Sequence, residues 1–256
     1  MANRTLHRTI RRTHRYLGVL LGIQFAFWTL GGLYFSWTNI DEIHGDLQHR
    51  PVPRLKGNVN LVSPDSVVKH LDHFVDSIHQ VQLTTILQKP FWSITYFSGG
   101  KRHTVLADAQ TAVPRPAIQK DEAVQIARES FSGAPALQSV AYLTSTNGHH
   151  EYREKPLPAW AVTFDHPTRT TVYVSADYGR VESFRNNKWR VFDFLWMMHT
   201  MDYKQRDNLN NGLLRAFSLF GLATIFSGFA LYWVSRKRKK VPVISVNREA
   251  QMPAEP

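Results

Sequence analysis

The chain has no cysteine in its 256 residues. That absence excludes disulfides in an oxidising compartment and, in any compartment, thiolate nucleophiles, iron–sulfur clusters and cysteine-ligated zinc. No P-loop, dinucleotide fingerprint or Ser-His-Asp order is visible, which argues against a hydrolase of those kinds. The centre of the chain also lacks a basic face interleaved with aromatics, so nucleic acid is not an expected partner. A last absence is the most informative: from Tyr16 to Trp37 there is no charged residue at all.

That stretch, YLGVLLGIQFAFWTLGGLYFSW, is long enough to cross a bilayer as a helix, which needs about 20 mostly apolar residues. Inside lipid only a helix satisfies its own backbone hydrogen bonds within one segment. The run exceeds the usual signal-peptide core of about 7–15 residues, and no A-x-A-like site follows Trp37, so an uncleaved anchor is expected. A second apolar run, AFSLFGLATIFSGFALYWV from Ala216 to Val234, answers it, and the two spans are set at residues 16–37 and 213–234.

The formal net charge of +11 sits at the two ends of the chain. Residues 1–15 carry +5 through Arg4, Arg8, Arg11, Arg12 and Arg15, and residues 235–256 carry +4, which leaves +2 for everything between. Basic flanks on both spans fit the positive-inside bias and anionic lipid headgroups. With two crossings, both termini (residues 1–15 and 235–256) are expected to be cytoplasmic and the central region periplasmic, in a bacterial inner membrane. Trp28, Tyr34 and Trp37 suit an aromatic belt at the far interface.

The central region divides by composition. Pro51 and Pro53 mark a linker, residues 38–60. Pro64–Phe74 has Val67, Val68, Leu71 and Phe74 on one helical face, and Lys120–Phe131 has Ala123, Val124, Ile126, Ala127 and Phe131 on another. Strand-like runs follow each helix: 78–87, 91–97 and 103–107, then 138–144, 160–165 and 171–175. FWSITYF (Phe91–Phe97) parallels AWAVTFD (Ala159–Asp165), and HTVLADA parallels TVYVSAD. Two tandem units, residues 61–112 and 118–185, are therefore expected, each one helix on an antiparallel three-stranded sheet. One such unit buries little alone, whereas two can share a core. The fold class is an α+β membrane protein, with a membrane-proximal segment at residues 188–211.

DEAVQIA, AWAVTF and TVYVSADYGRV together resemble the PepSY domain, and residues 61–112 look like a more divergent copy. RTHRYLGVLLGIQFAFWTLGGLYFSW and WRVFDFLWMMHTMDY resemble the opening helix and the membrane-proximal segment of PepSY-associated transmembrane proteins. The resemblance covers nearly the whole chain except the tail after Lys240. It implies iron-uptake chemistry: larger members are membrane ferric-siderophore reductases with haem held between histidines of four spans, where this chain has two.

Three histidines lie next to the expected spans. His199 sits among Phe192, Phe194, Leu195, Trp196, Met197, Met198 and Met201, an apolar setting for a haem b macrocycle, with Asp202 three residues on as an outer carboxylate. His44, past the first span, shares its side of the membrane with His199, so the two are candidates for a bis-imidazole site. His14 stands at the cytoplasmic start and would need a second haem, one that could face His14 of another subunit. Two have a plainer reading: His199 on an interfacial helix, His14 among arginines at a helix end. Gly18-x-x-x-Gly22 permits close helix approach, either in a homodimer or larger complex or against the second span. His70 and His73 lack a third ligand, so no metal centre is expected. Three functions stay open: a haem-bearing electron-transfer or ferric-siderophore reductase component, a non-enzymatic periplasmic module that binds a ligand or restrains a protease, or an assembly partner of a larger membrane complex.

Overall fold

The structure, a computed structural model, describes residues 2–51, 54–133 and 135–236. Pro53 and the basic run Lys237–Lys240, with the tail beyond it, lie outside the described residues. The chain forms two compact units: Met1–Ala26 with Gly212–Pro256, and Phe27–Asn211.

The first unit is a helix pair. Helix α1 runs Ala2–Trp37. It starts well before Tyr16, because nothing ahead of Gly18 breaks a helix and arginine is a good helix former. The other helix, α6, is Gly212–Arg236. Within them, Arg8–Trp37 and Gly212–Trp233 are long and apolar enough to cross a membrane, and only 17% and 6% of these spans are buried inside the protein. A core helix of a water-soluble domain would be mostly covered; here Val19, Ile23, Leu219 and Phe226 are each at least 65% exposed. Where the helices meet, Leu21 and Gln24 are buried. The small residues that let them approach are on α6: a Cβ built on Gly221 would lie 3.6 Å from Phe25, and one on Gly228 3.5 Å from His14. Gly18 and Gly22 have no atom within 4 Å of their would-be Cβ positions, so α6 does not pack on that stripe.

The second unit begins with α2 (Ile40–His44), capped by Asn39 Oδ1 accepting from Asp41 N at 2.9 Å and closed by Gly45 in the left-handed region. Then come α3 (Pro64–Lys69), β1 (Ser77–Ile86), β2 (Lys89–Ser98), β3 (Lys101–Asp108) and β4 (Pro114–Arg115). The pattern recurs as α4 (Lys120–Ser130), β5 (Ala136–Leu143), β6 (Ala159–Asp165), β7 (Thr171–Ser175) and β8 (Val181–Arg185), before α5 (Asn187–Thr200). Each sheet is antiparallel in chain order, β1-β2-β3-β4 and β5-β6-β7-β8. The fold is α+β, with four strands per sheet where three were expected. The extra strands are short or irregular: β4 has two residues and opens on proline, and β8 joins β7 through a register shift.

One further correction concerns the first helix, which stops at Lys69 instead of reaching Phe74. His70 Nδ1 donates to Ser66 O at 2.7 Å and closes the last turn. His73 then leaves the helical path to stack on Tyr96, and Phe74 is 80% exposed.

The two sheets repeat one another bond for bond. Trp92 Nε1 donates to Val62 O at 3.0 Å, and Trp160 Nε1 to Ile118 O at 2.8 Å; each acceptor lies two residues before its helix. Thr95 and Thr104 hydroxyls meet across β2 and β3 at 3.2 Å, as Thr163 and Thr171 do across β6 and β7 at 3.0 Å. Ala109 N bonds Pro90 O, and Ala176 N bonds Pro158 O. The first strand of each sheet is bulged, between Ile78 and Gln80 and between Leu137 and Ser139. Phe91–Phe97 and Ala159–Asp165 thus occupy matching register positions, whereas in the next strands the match is Thr104–Ala109 with Thr171–Ala176, one residue off the sequence parallel that set His103 against Thr171.

One core joins both modules. Ile86, Phe91 and Leu106 of the first sheet pack with Ile118, Ala123, Phe131, Val162, Phe164, Val172, Val174 and Phe184. A smaller cluster, Val67, Ile94, Tyr96, Ala107 and Ala112, belongs to the first module alone. Gly179, at φ +63°, lies between the modules, where a Cβ would come within 2.3 Å of Ile86 Cδ1.

Candidate functional site

Helix α5 carries His199. Asn186 caps it, its Oδ1 accepting from Trp189 N at 2.8 Å, and Met201 ends it at φ +53°. Phe192, Trp196 and His199, spaced four and three apart, share one face of α5. They meet the last turns of α1: Phe35 lies 4.9 Å from Phe192 and 6.2 Å from the His199 ring, and Trp28 lies 5.9 Å from His199. Trp196 stacks on His199 with centroids 6.1 Å apart and planes within 11°. Trp28 Nε1 also donates to His199 O at 2.9 Å. Inside this aromatic enclosure His199 Nδ1 is buried without a hydrogen-bond partner.

The other expected residues are placed differently. His44 is exposed in the last turn of α2 and is not among the ring neighbours of His199. Asp202, expected to support a ligand histidine, is occupied by its own loop: its carboxylate accepts from the amides of Asn208 (2.9 Å), Lys204 and Gln205 (both 3.2 Å). Burial raises this carboxyl's pKa, but those amides and that of Arg206 outweigh burial and hold it below the ordinary carboxylate range. His70 and His73 share no helix, and no group of three or more potential metal ligands occurs among the described residues.

In the first unit, His14 Nδ1 lies 2.8 Å from Ser227 Oγ. The Ser227 hydroxyl is also within bonding distance of Thr224 O, at 2.8 Å. With the hydroxyl proton given to Thr224 O, Oγ accepts from His14 Nδ1, and in that tautomer Nε2 keeps its lone pair. His14 lines an open groove of about 640 Å³ with Thr224, Ile225, Gly228, Phe229, Tyr232 and Trp233. That volume lies within the ~300–1,000 Å³ common for small-molecule sites, and the walls are almost wholly apolar. Sequence reading singled out His14 but neither Ser227 nor Gly228, since only packing brings residues 213 positions apart together.

A charge cluster that sequence reading missed lies against the buried side of α5. Asp193 is 3% exposed and accepts from Arg153 Nη2 at 2.6 Å and from Arg206 Nη1. Arg153 Nε reaches Asp207 at 2.8 Å. Glu151 takes a two-pronged contact from Arg190, at 2.7 and 3.1 Å, and the Tyr173 hydroxyl at 2.7 Å. Burial, then the negative charge of Glu151, push the Tyr173 phenol well above its usual range. Arg185 has only the carbonyls of Glu151 (2.9 Å) and Phe184 (3.2 Å) and sits over Trp189 at 4.1 Å. It forms no ion pair among the described residues, and burial lowers its pKa despite Glu151. A cation–π contact contributes ~0.5–2 kcal/mol, less than the several kcal/mol that burying an ion costs. The one signal in the sequence was Asp193 itself, a lone acid inside FDFLWMM.

Comparison with protein-family models, with curated proteins and with solved structures finds no match.

Proposed function

We propose that the protein is an integral inner-membrane component of the PepSY-associated transmembrane kind that carries haem b and serves electron transfer in iron uptake, with His14 as the residue that would hold the iron. One observation carries the reading: Ser227 holds His14 Nδ1 at 2.8 Å while the ring lines an apolar groove, an arrangement in which Nε2 can keep its lone pair for iron. A haem iron asks for a neutral imidazole held by an outer acceptor and an apolar slot for the macrocycle, and these residues fit it. Gly228 keeps the space beside the ring open, because a side chain there would meet His14 Cε1. When bound, haem supplies a one-electron iron couple whose potential follows its axial ligands and surroundings. Ser227 would orient the ring, and Phe229, Tyr232 and Trp233 would line the groove beside it. His199 is the second candidate, because its Nδ1 is a buried atom in want of a partner within an aromatic enclosure.

In this reading the basic flanks are cytoplasmic and residues 38–211 periplasmic, by the positive-inside bias. The test is spectroscopic. Full-length protein purified in detergent and supplied with haemin should show a Soret band that His14→Ala abolishes or shifts, while membrane insertion stays normal. Wild-type protein that takes up no haem overturns the proposal. The alternative, a periplasmic module that binds a ligand or restrains a protease, is favoured by a separate observation: a cleft of about 690 Å³ between the modules, walled by Gln82–Gln88 on one side and Ile126, Glu129 and Arg180 on the other.

A further inference from the structure

The charge cluster beneath α5 surrounds a cavity of about 340 Å³ whose walls include Arg153, Lys155, Arg185, Trp189 and Trp196. Its four carboxylates are unequal. Asp193, Asp207 and Glu151 are each engaged by a guanidinium. Glu154 is exposed and makes no ion pair among the described residues. The walls hold three cations against these four carboxylates, and Arg190 and Arg206, paired with Glu151 and Asp193 from outside the walls, bring the cations to five. The Arg153 side chain is 9% exposed, and its Nη1 is buried without any hydrogen-bond partner. Arg185 spends Nε and Nη1 on carbonyls, which leaves Nη2 without an acceptor and the charge without a carboxylate. Lys155 is exposed and makes no ion pair among the described residues. Arg153 Nη1 is closed off from the cavity, whereas Arg185 Nη2, which no protein acceptor holds, offers an oxyanion a charge-assisted bond of the strongest kind.

We propose that this cavity binds a phosphate group, free or carried on a lipid headgroup, between Arg153, Arg185 and Lys155. Guanidinium forks match the oxygens of phosphate, and Lys155 adds a point charge at the rim. Trp189 and Trp196 form an apolar wall against whatever the phosphate is attached to. The cavity walls contain no histidine, although Trp196 also stacks on His199.

Calorimetric titration of the full-length protein in detergent with inorganic phosphate, at ionic strength held constant with chloride, tests it. Wild type should give saturable one-site binding. Lys155→Gln should weaken it at least threefold and Arg185→Gln at least tenfold, whereas Glu154→Gln, which removes the rim carboxylate, should tighten it about twofold. Lys155 and Glu154 are exposed, so their variants keep the test decisive even where Arg185→Gln fails to fold. Heat that chloride reproduces at equal ionic strength, or affinity unmoved by both rim variants, overturns the proposal. Native mass spectrometry from phosphatidylglycerol nanodiscs identifies the source: a retained lipid that phosphate displaces marks a headgroup, and binding of phosphate with no retained lipid marks the free anion.

Discussion

The two modules of the second unit share a hydrogen-bond scheme but not a core. In the second, α4 runs for 11 residues and buries Ala123, Ile126 and Ala127 against its own sheet. In the first, α3 stops after six residues, and the sheet divides its apolar side chains between a small cluster of its own and the core of its neighbour. A short helix covers too little of a sheet to stabilise it alone, so the first module borrows burial from the second. The duplicated strand pattern therefore sets register in both modules, while stability is concentrated in one.

Ranked by size, the tests of that asymmetry begin at the shared core. Phe131 is fully buried there, and Phe131→Ala should cost ~3–5 kcal/mol, with both sheets losing hydrogen-exchange protection together. If only β5–β8 lose protection, the modules do not depend on a common core. Ile94→Ala, in the cluster belonging to the first module, should cost about 2–4 kcal/mol and loosen β1–β4 while the second sheet keeps its protection. Gly179→Ala combines a left-handed backbone with a clash against Ile86, at roughly 2–3 kcal/mol, and a denaturant midpoint equal to wild type would contradict close packing between the modules. Trp92→Phe and Trp160→Phe each remove one equivalent bond and should cost about 1 kcal/mol apiece; a large inequality would break the equivalence of the strands.

The smallest effect is a pH effect. Asp202 has a folded-state pKa below its unfolded value, so the unfolded chain takes up the proton first on acidification. Its contribution is complete above the unfolded carboxylate value, ~3.9, and is lost as pH falls through the folded one. Asp202→Asn should flatten the acid limb of a thermal-stability profile, and an unchanged limb would mean that the loop amides do not favour the ionised form.

How much was legible follows from the range of each interaction. Apolar length, charge absence and strand alternation are properties of consecutive residues, and so the two long helices, the two amphipathic helices and six of the eight strands could be read in order from the sequence. The two-residue β4 and the irregular β8 carry too little pattern to be seen without their partners. The end of α3 was missed because a histidine bond and a ring stack, not propensity, stop it at Lys69.

The candidate sites divide the same way. By itself the sequence determined which histidines lie near the apolar helices and that an acid interrupts the aromatic run of α5, because both are matters of adjacency. Only tertiary structure decided that Ser227 holds His14 Nδ1, that Asp202 serves its own loop, and that Arg153, Arg185 and Arg206 converge around Asp193 and Trp189. Hydrogen bonds and ion pairs act over a few ångströms, and residues tens to hundreds of positions apart come within that distance only once the chain has folded.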